Sequence, residues 1–339
     1  MSITIKKIVA LCNTSRGTVD RVINNRGNVN AELKKKILSV MEEYEYEPNV
    51  TAKALSNSRK KQTIGVVINS LENSFYDEVS KGINDAASEV SSYGVKIEIR
   101  QIKGYSAIEQ HKEICKLEKL GINGLIITPI QDSLIVDKIQ DLKEKGIPTA
   151  LINADLEKCD RLVLVSTNNE RSGRVAADMV TIASNQNGRI AIVTGSFNNL
   201  GHSKRVEGFV DVIQNSEKSL EIVSILENDD DNEKSYTLVK NLLEKEDLDI
   251  IYFSAAGVRG GIRAIEESQK PVKAVTMDES DVVKEYVAKG IILATVTQQP
   301  YEQGYKPIKI MANYLVLGTK PLKTKVHTIN KIKVKNSNW

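Results

Sequence analysis

Residues 4–30 read Thr4-Ile-Lys-Lys-Ile-Val-Ala-Leu-Cys-Asn-Thr-Ser-Arg-Gly-Thr-Val-Asp-Arg-Val-Ile-Asn-Asn-Arg-Gly-Asn-Val-Asn30, and their spacing sets the character of the whole chain. Ile5, Ile8, Val9 and Leu11 recur near the 3.6-residue period of one helix face, with Thr4 in the N-cap position. The pattern stops around Cys12. Asn13 tolerates the left-handed backbone of a sharp turn, and Ser15 is placed to accept from the amide of Thr18 or Val19 as a second helix begins. On that helix Val19, Val22 and Ile23 fall on one side, which leaves Arg16, Gly17, Thr18, Asp20 and Arg21 at or near the other. Helix, turn and helix are expected.

The polar face of the second helix has the dimensions and donors to enter a major groove. Two arginines can reach guanine edges or phosphates, and the helix N-terminus favours a nearby phosphate. Taken alone, the same face is equally that of a solvated surface helix. Asn30 opens a third helix, with Leu33, Ile37, Val40 and Met41 inward and Lys34, Lys35 and Lys36 outward, ending near Tyr46-Glu47-Pro48. The stretch from Asn49 to Lys61 is helix-capable but too short to be stable alone in water, so it is a candidate for folding on binding.

Charge is unevenly spread. Residues 1–62 carry 12 Lys and Arg against 6 Asp and Glu, whereas the remainder carries 35 against 38, so the basic excess lies where the three helices are. This is the footprint of a small nucleic-acid-binding head on a neutral-to-acidic body. An apolar content of 41% is ordinary for a soluble globular chain, no run of 18 apolar residues exists and no apolar signal core follows the first basic residues, so a cytoplasmic location without membrane contact is expected. Cys12, Cys115 and Cys159 are three and widely spaced, supporting buried thiols rather than a disulfide framework or zinc site. His111, His202 and His327 form no metal-ligand spacing either, and no cofactor motif is present.

From Gln62 the pattern alternates apolar strand and amphipathic helix, the signature of parallel sheets covered on both faces. Strands are expected at Thr63–Ile68, Val95–Gln101, Gly124–Ile127, Pro148–Ile152 and Leu162–Ser166, with helices near Phe75–Val90, Ala107–Leu120 and Ser133–Lys145. The cycle then repeats. Strands fall at Arg189–Thr194, Leu220–Leu226, Ile250–Ser254, Lys273–Met277 and Ala294–Gln298, and helices near Glu170–Ala183, Lys204–Gln214, Glu233–Glu244, Gly257–Glu267 and Asp281–Ala288. Two similar halves imply a bilobed binder whose ligand sits beyond the carboxyl ends of the strands.

The ordered motifs Thr4-Ile5-x-x-Ile8, Ser15-x-x-Thr18-Val19-x-Arg21-Val22-Ile23-Asn24, then Tyr46-x-Pro48-Asn49-x-x-Ala52-x-x-Leu55, then Ile64-Gly65-Val66-Val67 resemble the LacI/GalR family of bacterial transcription repressors over almost the whole chain. The resemblance implies an all-α three-helix helix-turn-helix head at 1–47 and a hinge helix at 48–61. It further implies an α/β two-lobed, periplasmic-binding-protein-like (type I) core of doubly wound parallel sheets at 62–339, with an N-lobe of 62–167 and 299–325 and a C-lobe of 168–298 and 326–339. It also implies a homodimer on double-stranded DNA with a pseudo-palindromic operator, controlled by a sugar or sugar-derivative effector and needing no cofactor or metal. The C-terminus has no leucine heptads, so a tetramer-forming tail is not expected.

By that resemblance Arg16, Gly17 and Thr18 read bases, while Thr4, Ser15, Arg21, Asn24, Asn28 and Ala52 lie at the operator. Leu55 matches a leucine that wedges into a minor-groove step, where unstacking costs a few kcal/mol and bent DNA offers extra surface in return. Leu55 could also simply pack on the next domain. Asp20, Asn13 and Gly17 depart from a family serine, a turn glycine and a bulkier base-reading side chain, which leaves the operator sequence open.

In the body, the segment Leu71-Glu-Asn73-Ser-Phe75-Tyr76 resembles the pocket segment of ribose-type binding proteins, putting Asn73, Phe75 and Tyr76 near the ligand, although aromatics at a helix start also serve as core. Asn153 and Ala154 stand where the family has an Asp-Arg pair. Asp155 either takes over a hydroxyl contact or is a solvated loop carboxylate. Arg205 occupies the position of the inducer-contacting arginine, His202 is expected on the same cleft, Asp278 at a strand end accepts from hydroxyls or caps a helix, and Gln298 matches a crossover glutamine. Ala255-Ala-Gly-Val-Arg-Gly-Gly261 does not fit the dinucleotide spacing, and its small residues suggest a ligand that is larger or approaches the backbone closely. A transport binding protein is the first rival, opposed by the basic head. A cleft enzyme is the second, lacking any placed nucleophile, metal or phosphate loop.

Overall fold

The computed structural model describes residues 4–23, 27, 29–44, 46, 61–69 and 75–339. The expected hinge helix with Ala52 and Leu55, and Asn24, Asn28 and Asn73, lie outside these residues.

The head comprises α1 (Ile5–Cys12), α2 (Arg16–Ile23) and α3 (Ala31–Glu43). Its local chemistry follows the sequence closely. Asn13 adopts the left-handed conformation (φ 49°) that ends α1, the Ser15 Oγ accepts from the Thr18 amide at 3.1 Å, and Asn30 caps α3 by accepting from Glu32 and Leu33. Ile8, Cys12, Val19, Val22, Ile23, Ile37 and Met41 form one small core.

The body is two lobes, each a six-stranded sheet between helices. In the first lobe β1 (Gln62–Ile68), β2 (Val95–Gln101), β3 (Gly124–Ile127), β4 (Thr149–Ile152) and β5 (Val163–Thr167) alternate with α4 (Phe75–Ser91), α5 (Ala107–Lys119) and α6 (Ser133–Glu144). In the second, α7 (Asn169–Ala183), β6 (Asn187–Thr194), α8 (Leu200–Gln214), β7 (Ser219–Glu227), α9 (Asn232–Lys245), β8 (Ile250–Phe253), α10 (Val258–Ser268), β9 (Lys273–Met277), α11 (Asp281–Ala288) and β10 (Ile292–Thr297) follow. The chain then returns through α12 (Pro300–Leu317), β11 (Lys325–Thr328) and β12 (Lys331–Lys333). The orders are β11-β5-β4-β3-β1-β2 and β12-β10-β9-β8-β6-β7, parallel throughout except that β12 runs antiparallel to β10.

Alternation along the strands feeds two cores per lobe: Ile64, Val66 and Ile68 of β1 pack with Val79, Ile83 and Met311, while Val67 joins Ile114, Leu117 and Ile135 on the other face. Both faces are covered, which is why the strands read as near-continuous apolar runs.

Three expectations need correction. The second lobe was expected to resume at Val326, but β11 pairs with β5 in the first sheet, so the final crossover falls between Thr328 and Lys331. Helix α8 starts at Leu200 rather than near Lys204, because the Asn199 side chain accepts from the Gly201 amide at 2.8 Å and starts the helix one turn earlier. Only Cys12 of the three free thiols is buried; Cys115 and Cys159 are half-buried.

The crossovers between lobes are cross-tied. Asn330 Oδ1 accepts from the Thr167 hydroxyl at 2.5 Å and from Ser172 at 3.1 Å, and the Gln298 carbonyl accepts from Thr328 (2.7 Å) and the Gln303 amide group (3.1 Å).

Candidate functional site

The head presents its polar helix face as the sequence suggested. Arg16, Gly17 and Arg21 on α2 are exposed, and Val19, Val22 and Ile23 anchor the opposite side. Arg21 Nε donates to the Gly17 carbonyl at 3.2 Å, and the Ser15 and Thr18 hydroxyls lie 2.9 Å apart, which steadies the first turn. The Thr4 hydroxyl caps α1, accepting from the Lys7 amide at 3.4 Å.

The carboxyl ends of both sheets open on a shared cavity of about 260 Å³. Phe75 and Tyr76, at the first turn of α4, form one wall, their rings edge to face with centroids 5.2 Å apart. Burial pushes the Tyr76 phenol well above its usual range, so it remains a neutral hydroxyl. Asn153, held at φ 66° just after β4, completes this side, and its carbonyl accepts from the Asn169 side chain at 3.0 Å.

The opposite side is built around a buried charge. Arg205 on α8 is only 2% exposed, yet its guanidinium is held in three directions: Nε donates to Asn169 Oδ1 (2.9 Å), Nη1 to the Ser254 carbonyl (2.9 Å) and Nη2 to Gln298 Oε1 (2.8 Å). The planar fork suits this arrangement, since three acceptors at fixed angles satisfy a charge that burial would otherwise penalise. Gln298 passes the connection on, its Nε2 donating to both oxygens of Asp278 at 2.9 and 2.7 Å. Asp278 sits after β9 in the left-handed region (φ 65°). Burial pushes its carboxyl up to about 6, against the opposing pull of Arg205 and Gln298.

His202, one turn before Arg205, is buried in the same wall. Its Nδ1 accepts from the Ser196 amide at 3.0 Å, which leaves the proton on Nε2. Burial pushes the imidazole down to about 4, with Arg205 acting in the same direction and Asp230 opposing, so the ring is neutral near pH 7.

Phe75, Tyr76, Asn153, His202, Arg205, Asp278 and Gln298 are thus brought together at one cavity. Asp155 is not among its lining residues. Its carboxylate pairs with Arg161 at 2.8 Å and Lys325 at 3.2 Å and accepts from the Leu156 amide, so the loop role is the one the structure gives it. Tyr105, Asp230 and Asn232 also line the cavity and were missed, as was Asn169, which orients Arg205. Asp230 follows a strand's carboxyl end just as Asp278 does, and that rule was the available signal. Ala255, Ala256 and Gly257 of the small-residue loop line the cavity. Among the described residues no group of three or more His, Cys, Asp or Glu side chains could hold a metal ion, and no helix is long and apolar enough to cross a membrane.

Fold and cavity together define a class: a two-lobed small-molecule receptor fused to a helix-turn-helix head. Residues 64–320 match the periplasmic binding protein domain, and residues 4–49 match bacterial regulatory proteins of the lacI family. The chain belongs to the periplasmic-binding-protein domain family and carries the DNA-binding head of the lacI family of transcription regulators. Among its relatives is catabolite control protein A of Priestia megaterium, 28% identical over 251 residues, covering 73% of this chain and 72% of that protein. Another, the probable HTH-type transcriptional repressor ExuR of Bacillus subtilis (strain 168), is 31% identical over 62% of this chain and 60% of its own length. The solved structure of GanP, a glucose-galactose binding protein from Geobacillus stearothermophilus, is 27% identical with a TM-score of 0.75, over 82% of this chain and 98% of that one.

Proposed function

We propose that this regulator is a homodimeric repressor of carbohydrate-metabolism genes, acting in the cytoplasm on a pseudo-palindromic operator and controlled by a sugar or sugar derivative bound between its lobes. The observation that carries the reading is the Arg205–Gln298–Asp278 chain facing Phe75 and Tyr76. Carboxylate and amide groups accept from and donate to ring hydroxyls, while aromatic faces take the apolar side of a pyranose or furanose. GanP, described as a glucose-galactose binding protein, supports the same ligand class. Arg16, Gly17, Thr18 and Arg21 are the proposed readers of the groove. Ser15, Asn24 and Asn28 are the proposed backbone contacts, and Leu55 the wedge.

Occupancy of the cavity changes lobe closure and thereby the spacing of the two heads; the linkage is reciprocal, so an effector that weakens operator binding is itself held less tightly by the DNA-bound form. A transport role is disfavoured by the basic head. The test is a thermal-shift screen of pentoses, hexoses, polyols and their phosphates. A cavity ligand at a hundredfold its Kd stabilises the fold by about 2.7 kcal/mol, and a screen in which no carbohydrate raises the melting temperature would count against the effector assignment.

A further inference from the structure

Two residues that recognition chemistry leaves unused meet across the mouth of the cavity. Tyr105 follows β2 in the first lobe, and its hydroxyl donates to Asp230 Oδ2, which follows β7 in the second. Both ends are prepared. Gly104, at φ 65°, turns the chain so that Tyr105 points across the cleft, and the ring packs edge-on against His202 with centroids 5.7 Å apart. Burial and the facing carboxylate keep the phenol protonated, hence a donor.

On the other lobe Asp230 is fixed in the left-handed region at φ 62°, its own amide donating to Asn228 Oδ1 (2.9 Å) and its Oδ1 accepting from the Ala256 amide (3.0 Å). Gly195 lies beneath: a Cβ there would come within 2.5 Å of both Asp230 Oδ1 and His202 Cε1. A second bond also spans the lobes, from the Gln131 amide after β3 to the Asn198 carbonyl after β6, at 2.9 Å.

We infer that Tyr105 and Asp230 are a clasp that holds the two lobes together before any effector arrives. A hydrogen bond from a neutral phenol to a carboxylate is of the stronger, charge-assisted kind. Its net contribution, after both groups are rehydrated on opening, corresponds to roughly tenfold or more in the open-to-closed equilibrium. An effector that needs closed lobes then meets a receptor already biased toward that state, and its apparent affinity rises with the closed fraction. That consequence rests on the effector reading; the clasp itself does not.

Amide exchange tests it on the full-length protein with neither ligand nor DNA. The Gln131 amide is bonded across the cleft, so its exchange reports lobe opening. Tyr105→Phe is expected to speed exchange at Gln131 about tenfold or more, with strand amides of β3 and β8 unchanged. Asp230→Asn, which keeps an acceptor but loses the charge, is expected to fall between it and the native protein. Equal protection of Gln131 in native and Tyr105→Phe protein, with the strand amides equally protected, overturns the clasp. Binding of D-glucose, D-galactose, D-xylose and myo-inositol to the same proteins separates the two ideas. Failure of these four and of every compound in the thermal-shift screen, alongside faster Gln131 exchange, counts against the effector reading and supports the clasp.

Discussion

Arg205, the proposed effector contact, is also a fold residue. The family resemblance implies an effector contact there, and three of its donor directions are taken up by Asn169, Ser254 and Gln298, so it ties α8 to the crossover. Arg205→Ala leaves those acceptors unmet inside the protein and is expected to lower folding stability by about 2–4 kcal/mol in urea denaturation, together with loss of sugar binding. Lost binding with an unchanged urea midpoint would mean that the guanidinium serves the ligand alone. Its neighbours give opposed pH effects. Asp278, raised from an ordinary 3.8 to about 6, keeps its proton in the folded state where the unfolded chain has released it, so its contribution to stability falls as pH rises across that interval. His202, lowered from 6.5 to about 4, refuses a proton that the unfolded chain accepts, so its contribution is lost as pH falls through the same region. The two slopes offset one another. Asp278→Asn removes the first and is expected to make stability climb with pH, relative to the native protein, between about pH 4 and 6. Parallel urea-denaturation profiles for the two proteins across that range would contradict the assignment.

Among the elements, the pairing of α7 with α8 positions the arginine. A Cβ on Gly173 would lie 1.9 Å from the Arg205 carbonyl, and one on Gly208 would lie 2.1 Å from that of Glu170, so the two helices touch backbone to backbone. Gly173→Ala is expected to push them apart, destabilising the second lobe by about 1–3 kcal/mol or more and shifting Arg205 off its acceptors. A melting temperature and sugar affinity equal to those of the native chain would show that the contact yields freely. Elements were legible where a cap or an uninterrupted period marked them. Ser15, Asn13 and Asn30 each do the job their chemistry implies. Helix α12 was not among the expected elements, and it carries two prolines, which disfavour a helix interior. Pro300 is at its first turn and Pro307 lies inside it, yet the helix persists, packed along α4 through Gly82 and Gly304. Strand β11 is short and carries Lys325 and His327, so its sheet membership comes from pairing with β5 rather than from its own pattern.

For the molecule as a whole, the uneven charge and the repeated strand-helix cycle mark a basic head and a two-lobed body in the sequence itself. What stayed hidden was contact between distant loops: Tyr105 and Asp230 are 125 positions apart, and nothing in either segment names the other. Asp155 shows the converse, a carboxylate at a promising position drawn away by Arg161 and Lys325. Removing residues 1–60 is expected to abolish specific DNA binding while sparing sugar binding, and a truncated chain that still selects one duplex would refute the division of labour. The central claim is that cavity occupancy governs the head's grip on DNA. It is tested most directly by titrating duplexes from the promoter region beside this protein's own coding sequence, followed by fluorescence anisotropy, with and without the sugar that stabilises the fold in the thermal-shift screen. The account predicts tight, sequence-selective binding to one such duplex whose affinity changes by about fivefold or more with the sugar. Equal, purely salt-governed binding to every duplex, indifferent to the sugar, would contradict it.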